Sequence, residues 1–74
     1  MTPQQAVAFF RSRSALAKAC KVTLAAVYNW HQRGWIPFDR QCEIQLAAQA
    51  EAVRRRRKTF PLASREDVKV RQAA

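Results

Sequence analysis

The stretch LAKACKVTLAAVYNWHQRGWIP, residues 16 to 37, contains two short helical patterns separated by a brief interruption. The second pattern covers residues 24–33, and Thr23 directly before it suits a helix N-cap. Gly34, the only glycine, stands where a helix end favours a left-handed residue, and Pro37 follows it as a helix stop. Two short helices joined by a turn of about three residues are typical of a helix-turn-helix.

The packing of a helix-turn-helix places specific demands on a few positions in this stretch. Ala17 has to be small because the following helix crosses close above it, and Val22 has to be apolar to fill the space under the turn. Val27 and Trp30 have to point inward from the second helix of the pair. All four residues satisfy these demands in the required order, which favours this motif over an unrelated pair of helices.

The chain before the motif also carries helix signals. Thr2, Pro3 and Gln5 predict a capped first helix that ends near Arg11. A second helix then follows as far as residue 20, with either Ser12 or Ser14 as its cap.

After the motif, a fourth helix is predicted to begin at Phe38 or Asp39 and to run to residue 50, with a possible extension to residue 53. Pro61 prevents a continuous helix beyond the basic run 54–58. Ser64 predicts one more capped helix through residues 68 and 70, although an extended strand over residues 66–71 fits the alternating Val68 and Val70 equally well.

These elements predict an all-α fold: one small domain of about five helices, with the helix-turn-helix in helices 2 and 3. Residues 1–53 form the expected DNA-binding core, and residues 54–74 form a basic segment and tail. The tail offers Phe60, Leu62, Val68 and Val70, which suit either a dimer contact or a cover for one end of the core.

The charge distribution favours a polyanionic partner. The 74 residues carry a formal net charge of +9, and no acidic residue precedes Asp39. Basic domains of this kind commonly bind nucleic acid. The run 54–58 suits either a second phosphate contact or a solvated helix end.

Other classes of protein find little support in the composition. No nucleophile–base pair, carboxylate pair or metal-ligand spacing is present, so we expect no enzyme activity, no metal, no cofactor and no small-molecule ligand. Cys20 and Cys42 are expected to be small core residues, and His31 a solvated residue beside the core. No segment suits a membrane span or a signal peptide, so the expected location is the cytoplasm of a bacterial cell, near the nucleoid.

The outward face of the third helix follows from a rotation of about 100° per residue. With Val27 and Trp30 inward, four uncharged side chains point out and suit base edges: Ala25, Tyr28, Asn29 and Gln32. Flanking polar and cationic side chains suit phosphates: Arg13, Lys18, Lys21, Thr23 and Arg33. Trp30 is assigned to the core, Phe9 is expected to be half-buried, and Trp35 is left either packed or exposed.

The same stretch resembles the Cro repressors of lambdoid phages, in their small helical branch. That family has an L-A-x-x-L-G-V turn, a V-x-x-W recognition helix and a G-x-I-P exit, and the resemblance covers roughly residues 3 to 50. Two positions depart from the family: Arg11 and Lys21 stand where it has glycine. A non-glycine residue in the left-handed conformation costs on the order of 1 kcal/mol.

The resemblance implies a dimeric repressor that binds a pseudo-palindromic operator on double-stranded DNA, with the third helix in the major groove. By matching positions, Ala25 and Asn29 are the main base contacts, with Tyr28 and Gln32 on bases or phosphates, and Thr23 and Arg13 on phosphates. The homodimer could form in solution or only on DNA.

Alternative functions remain open at the level of sequence. Antitoxins and excisionases use the same scaffold. A basic module that binds RNA or an anionic membrane surface is less well supported, because residues 38–53 are only weakly amphipathic and exposed aromatic platforms are few.

Overall fold

A computed structural model describes residues 1–68 and forms a small helical bundle. Its helices are α1 (Pro3–Phe10), α2 (Arg13–Cys20), α3 (Leu24–Arg33), α4 (Phe38–Arg54) and a 3₁₀ helix (Arg65–Asp67). The prediction of a small all-α domain is confirmed, with a 3₁₀ turn in place of a fifth α-helix. Residues 1–68 contain no strand, whereas the predicted continuation through Val70 lies outside the described residues.

The helix starts follow the capping signals in the sequence. The Thr2 hydroxyl accepts from the Gln5 amide at 3.1 Å, and the Gln5 side chain accepts from the Thr2 amide at 3.0 Å. Ser12, rather than Ser14, caps α2 and accepts from the Ala15 amide at 3.0 Å. Each cap satisfies a backbone N–H group that a helix start would otherwise leave without a partner.

Three helices end on a residue in the left-handed conformation. Arg11 follows α1 with φ 78°, Lys21 follows α2 with φ 55°, and Gly34 follows α3 with φ 86°. Arg11 and Lys21 therefore adopt the backbone that favours glycine, although neither is glycine. The turn of the helix-turn-helix forms despite this departure.

The main core lies where α1, α2, α3 and α4 meet. Its buried side chains come from the four α-helices, from the residue that begins the chain and from the loop after α3: Met1, Ala6, Leu16, Ala17, Val27, Trp30, Ile36 and Ile44. Cys20 and Val22 pack partly against this cluster. The sequence-based assignments of Ala17, Val22, Val27 and Trp30 to the packing of the motif are confirmed.

A second cluster lies between α1 and the C-terminal half of α4. Phe9 is only 7% exposed and clusters with Ala48 and Ala52, with Phe60 packed against them. The expectation of a half-buried Phe9 was wrong, because Phe60 and the Arg57 guanidinium, 4.2 Å from the Phe9 ring centre, cover its outer side. Phe60 thus covers one end of the core.

A buried amide connects the ends of the fold. Gln41, on the inner face of α4, accepts from the Met1 ammonium group and from the Ser64 amide, each at 2.8 Å, and donates to the Ile36 carbonyl at 2.9 Å. The Met1 ammonium group also lies 2.8 Å from the Asp67 carboxylate. These contacts attach the segment around the 3₁₀ helix to the helical core.

None of the helices in residues 1–68 is long and apolar enough to cross a membrane. The same residues contain no cluster of three or more His, Cys, Asp or Glu side chains arranged to hold a metal ion.

Candidate nucleic-acid interface

The outward side of α3 presents an uncharged surface with hydrogen-bonding groups. Ala25, Tyr28, Asn29 and Gln32 are all exposed, and we call these four residues the recognition face. Val27 and Trp30, on the opposite side of the same helix, are buried in the core. Because these two anchors fix the rotation of α3, the structure brings the four predicted base-contact residues together.

The amide side chains of the recognition face are free to bind a partner. Within residues 1–68, neither Asn29 nor Gln32 uses its side chain in an internal hydrogen bond, whereas Thr23 and Arg33 on the same helix and its cap do. An amide can form two hydrogen bonds to the major-groove edge of adenine, and the Ala25 methyl group can pack on the methyl group of thymine.

One cation of α2 lies beside the recognition face, and two more are exposed on α2 and its C-cap. The Arg13 guanidinium lies 5.1 Å from the centre of the Tyr28 ring, so α2 delivers a positive charge directly beside α3. Lys18 and Lys21 are exposed on the same helix and its C-cap. Three of the predicted phosphate contacts therefore remain accessible to an anionic partner.

Thr23 combines a structural role with its predicted binding role. Its hydroxyl accepts from the Ala26 amide at 3.2 Å and so caps α3. The exposed Thr23 stands at the positive end of the helix, where N–H groups of the first turn point outward. A phosphate at this end of α3 would meet both the threonine hydroxyl and the backbone amides.

Arg33 is held in place by an aromatic neighbour. Its guanidinium lies 4.2 Å from the centre of the Trp35 ring, and its Nε donates to the Trp35 carbonyl at 3.3 Å. Trp35 is thus half-buried under this stack rather than fully packed or fully exposed. The sequence analysis did not predict that Trp35 holds the Arg33 side chain. The signal for this contact was present, because an arginine and a tryptophan flank Gly34 and such pairs often stack.

His31 differs from its expected environment. The residue is only partly exposed, and its Nε2 atom is shielded with no hydrogen-bond partner among residues 1–68. Burial lowers the pKa of His31 from 6.5, and the positive charge of Arg13 lowers it further. The imidazole is therefore neutral near pH 7 and adds no charge to the interface.

The basic run 54–58 begins at the last residue of α4 and makes several internal contacts. Arg54 and Arg55 both pair with Glu51, and Arg57 donates to the Phe9 carbonyl at 3.1 Å. Three of the five cations thus have internal partners, and the side chains of Arg54 and Arg55 stay largely exposed.

The comparisons with known proteins address the family directly. The family described as DNA-binding transcriptional regulator Cro matches residues 2–61 of the chain. The chain belongs to the Cro family. The match spans all four α-helices and the recognition face, so the resemblance found in the sequence is confirmed, and the chain is a DNA-binding transcriptional regulator. The family is not a class of enzymes. No match was found among curated proteins or among solved structures.

Proposed function

We propose that this Cro-family regulator is a sequence-specific repressor that places α3 in the major groove of a pseudo-palindromic operator. The observation that carries the proposal is the recognition face, which is exposed and uncharged and has the Arg13 guanidinium beside its Tyr28 ring. Charged groups suit phosphates, which are the same at every base pair, whereas amides and methyl groups distinguish base edges. The uncharged groups that suit bases and the charged groups that suit phosphates therefore occupy different parts of the surface.

Each residue then has a defined role. Asn29 forms paired hydrogen bonds with an adenine, Ala25 packs on a thymine methyl group, and Tyr28 and Gln32 contact bases or the adjacent backbone. The phosphate contacts come from the border of the face: Arg13, Lys18, Lys21, Thr23 and Arg33. Two copies of the chain bind half-sites about one helical turn apart, as two-fold symmetry requires. Such a regulator acts in the cytoplasm, where the bacterial DNA lies.

The roles of Asn29 and Arg13 are separable by experiment. We expect Asn29→Ala to weaken operator binding by about 1–3 kcal/mol per subunit and to leave random DNA nearly unaffected. Arg13→Ala should weaken both and reduce the salt dependence by about one phosphate contact. Fluorescence anisotropy with a selected operator and a scrambled duplex measures both effects.

A matched amide control is available on α1. Gln4 is exposed and lies outside the recognition face, so Gln4→Ala should change neither affinity. Equal losses on operator and scrambled DNA for Asn29→Ala would contradict the proposed base contact.

A further inference from the structure

A groove beside α3 brings together polar groups from three separate elements of the fold, and we call it the α3–α4 groove. Its exposed lining residues are Lys21 at the C-cap of α2, Thr23 at the N-cap of α3 and Arg40 in the first turn of α4. Its less exposed lining includes Ala26 and Trp30, which are apolar. The packing of α4 against the helix-turn-helix therefore adds a third polar side chain, the Arg40 guanidinium, to the turn before α3.

The α3–α4 groove lies on the flank of α3 opposite Arg13. Ala26 and Tyr28 precede and follow the buried Val27, so their side chains point about 100° away from it in opposite directions. Arg13 lies beside Tyr28. Arg40, in contrast, lines the groove together with Ala26. The two arginines therefore approach α3 from opposite flanks.

This arrangement matches the distribution of phosphates around a helix in the major groove. The major groove is about 12 Å wide, and a helix with its side chains is about 10–12 Å across, so the sugar-phosphate backbone runs along both flanks of the helix. Arg13 suits the backbone on one flank, and Arg40 suits the backbone on the other. Asn29 stands one turn after Ala26 on the same side of α3, so the α3–α4 groove lies next to a predicted base contact.

The donor groups of the groove remain available to a phosphate. Lys21 is exposed, and in the part of the chain that the structure describes its ammonium group has no hydrogen bond or salt bridge. The Thr23 hydroxyl accepts from the Ala26 amide, which leaves its own hydrogen free to donate. Arg40 donates to the Glu43 carboxylate from Nη1 at 2.8 Å, and both side chains are about half exposed. The other N–H groups of the guanidinium can therefore bind a phosphate oxygen.

We propose that Arg40 binds a phosphate of the DNA backbone in the α3–α4 groove, together with Lys21 and Thr23. The inference rests on the proposed function in one respect, since it requires α3 to lie in the major groove. It adds a contact from α4, a helix for which the sequence predicted no role in binding. The phosphate meets two cations and a hydroxyl, so the affinity for DNA also depends on the packing of α4 against the turn before α3.

Removal of the guanidinium tests this contact, and α4 supplies a matched control. Arg40 and Arg54 both pair with a glutamate three residues away on α4, but Arg54 lies outside the α3–α4 groove. We expect Arg40→Ala to weaken binding to the operator and to a scrambled duplex alike, by about tenfold at 50 mM salt. Arg54→Ala removes the same charge and should weaken both less than about twofold. Equal losses in the two variants, with folding verified by circular dichroism, would overturn the proposal.

The salt dependence of binding gives a second readout, which a change in stability does not imitate. One phosphate contact contributes about 0.9 to the logarithmic slope of affinity against salt. The loss in Arg40→Ala should therefore shrink from about tenfold at 50 mM salt to about threefold at 200 mM salt. A slope in Arg40→Ala identical to that of the unmodified chain would overturn the phosphate contact.

Neutral replacements of single phosphates locate the contact on the DNA. In a selected half-site, a methylphosphonate removes the charge of one phosphate at a time, and the unmodified chain should bind less tightly at each contacted position. Arg40→Ala should become insensitive at one of these positions, and Arg13→Ala at a position on the opposite strand across the major groove. Loss of sensitivity at the same phosphate in both variants, or at none in Arg40→Ala, would overturn the arrangement.

Scrambled DNA separates this inference from the proposed function. If no operator is recovered but Arg40→Ala still weakens binding to random duplexes more than Arg54→Ala does, the repressor proposal fails and the Arg40 contact stands. If an operator is recovered and Arg40→Ala binds it as tightly as the unmodified chain does, the Arg40 contact fails and the repressor proposal stands.

Discussion

Lys21, in the turn between α2 and α3, links the stability of the fold to its binding of DNA. It adopts φ 55° and ψ 42°, a left-handed conformation in which a side chain costs roughly 1–2 kcal/mol. Glycine avoids that cost, but it destabilises the folded state by about 0.5–1 kcal/mol because it gives up more backbone entropy on folding. We therefore expect Lys21→Gly to stabilise the protein by about 0.5–1 kcal/mol, which corresponds to a rise in Tm of about 2–8 °C for a domain of this size.

The same substitution removes an exposed cation from the turn between α2 and α3. If Lys21 contacts a phosphate, the variant is more stable yet binds DNA less tightly, and its salt dependence falls by about 0.9 in the logarithmic slope. Thermal unfolding and anisotropy titrations at several salt concentrations measure the two effects on one sample.

Lys18→Gly is the matched control for this prediction. Lys18 is exposed and lies inside α2, so glycine there removes the same charge but destabilises the helix by about 1 kcal/mol. If Lys21→Gly destabilised the protein as Lys18→Gly does, the argument from the left-handed turn would be refuted. An unchanged salt slope in Lys21→Gly would refute the phosphate contact.

Two further predictions concern buried groups. Gln41→Leu should destabilise the protein by about 3 kcal/mol in urea unfolding, because it leaves the Met1 ammonium group and the Ser64 amide without their shared acceptor. Gln45→Leu is the control and should cost less, because it loses a single hydrogen bond to the Ala63 amide. Equal losses of stability in the two variants would contradict the role given to Gln41. Burial raises the pKa of the Cys20 thiol to about 11, and the Glu43 carboxylate adds to the rise. The folded state therefore retains the Cys20 proton more strongly than the unfolded state, so stability should fall as the pH rises from about 9 towards 11. Cys20→Ala should remove that fall, and an identical pH profile in the variant would contradict the assignment.

The helix-turn-helix was predictable because its signals are local. Thr23 and Gly34 mark both ends of α3, and Val27 and Trp30 fix its rotation, so the recognition face followed from the geometry of one helix. The start of α2 was less determined, since Ser12 and Ser14 are equally good caps. The left-handed turn at Arg11 directly precedes the cap at Ser12, and only the family resemblance, which has glycine at position 11, pointed to that turn.

The features that the sequence did not reveal depend on contacts between distant positions. Phe9 is buried because Phe60 and Arg57 return to it from beyond α4. Gln41 looks like an ordinary polar helix residue until the Met1 ammonium group and Ser64 are placed beside it. The sequence left the role of the basic run open, and the one long-range contact of this run, from Arg57 to the Phe9 carbonyl, could not be read from spacing.

The most direct test of the account is selection of bound sequences from a random duplex library at two salt concentrations. We predict an inverted repeat with half-sites about one helical turn apart, recovered at both concentrations, because the recognition face reads bases and the cations around it bind phosphates. Recovery of no shared sequence, with binding that disappears as salt rises, would mean that the positive charge alone binds DNA and would contradict the proposal of a sequence-specific repressor.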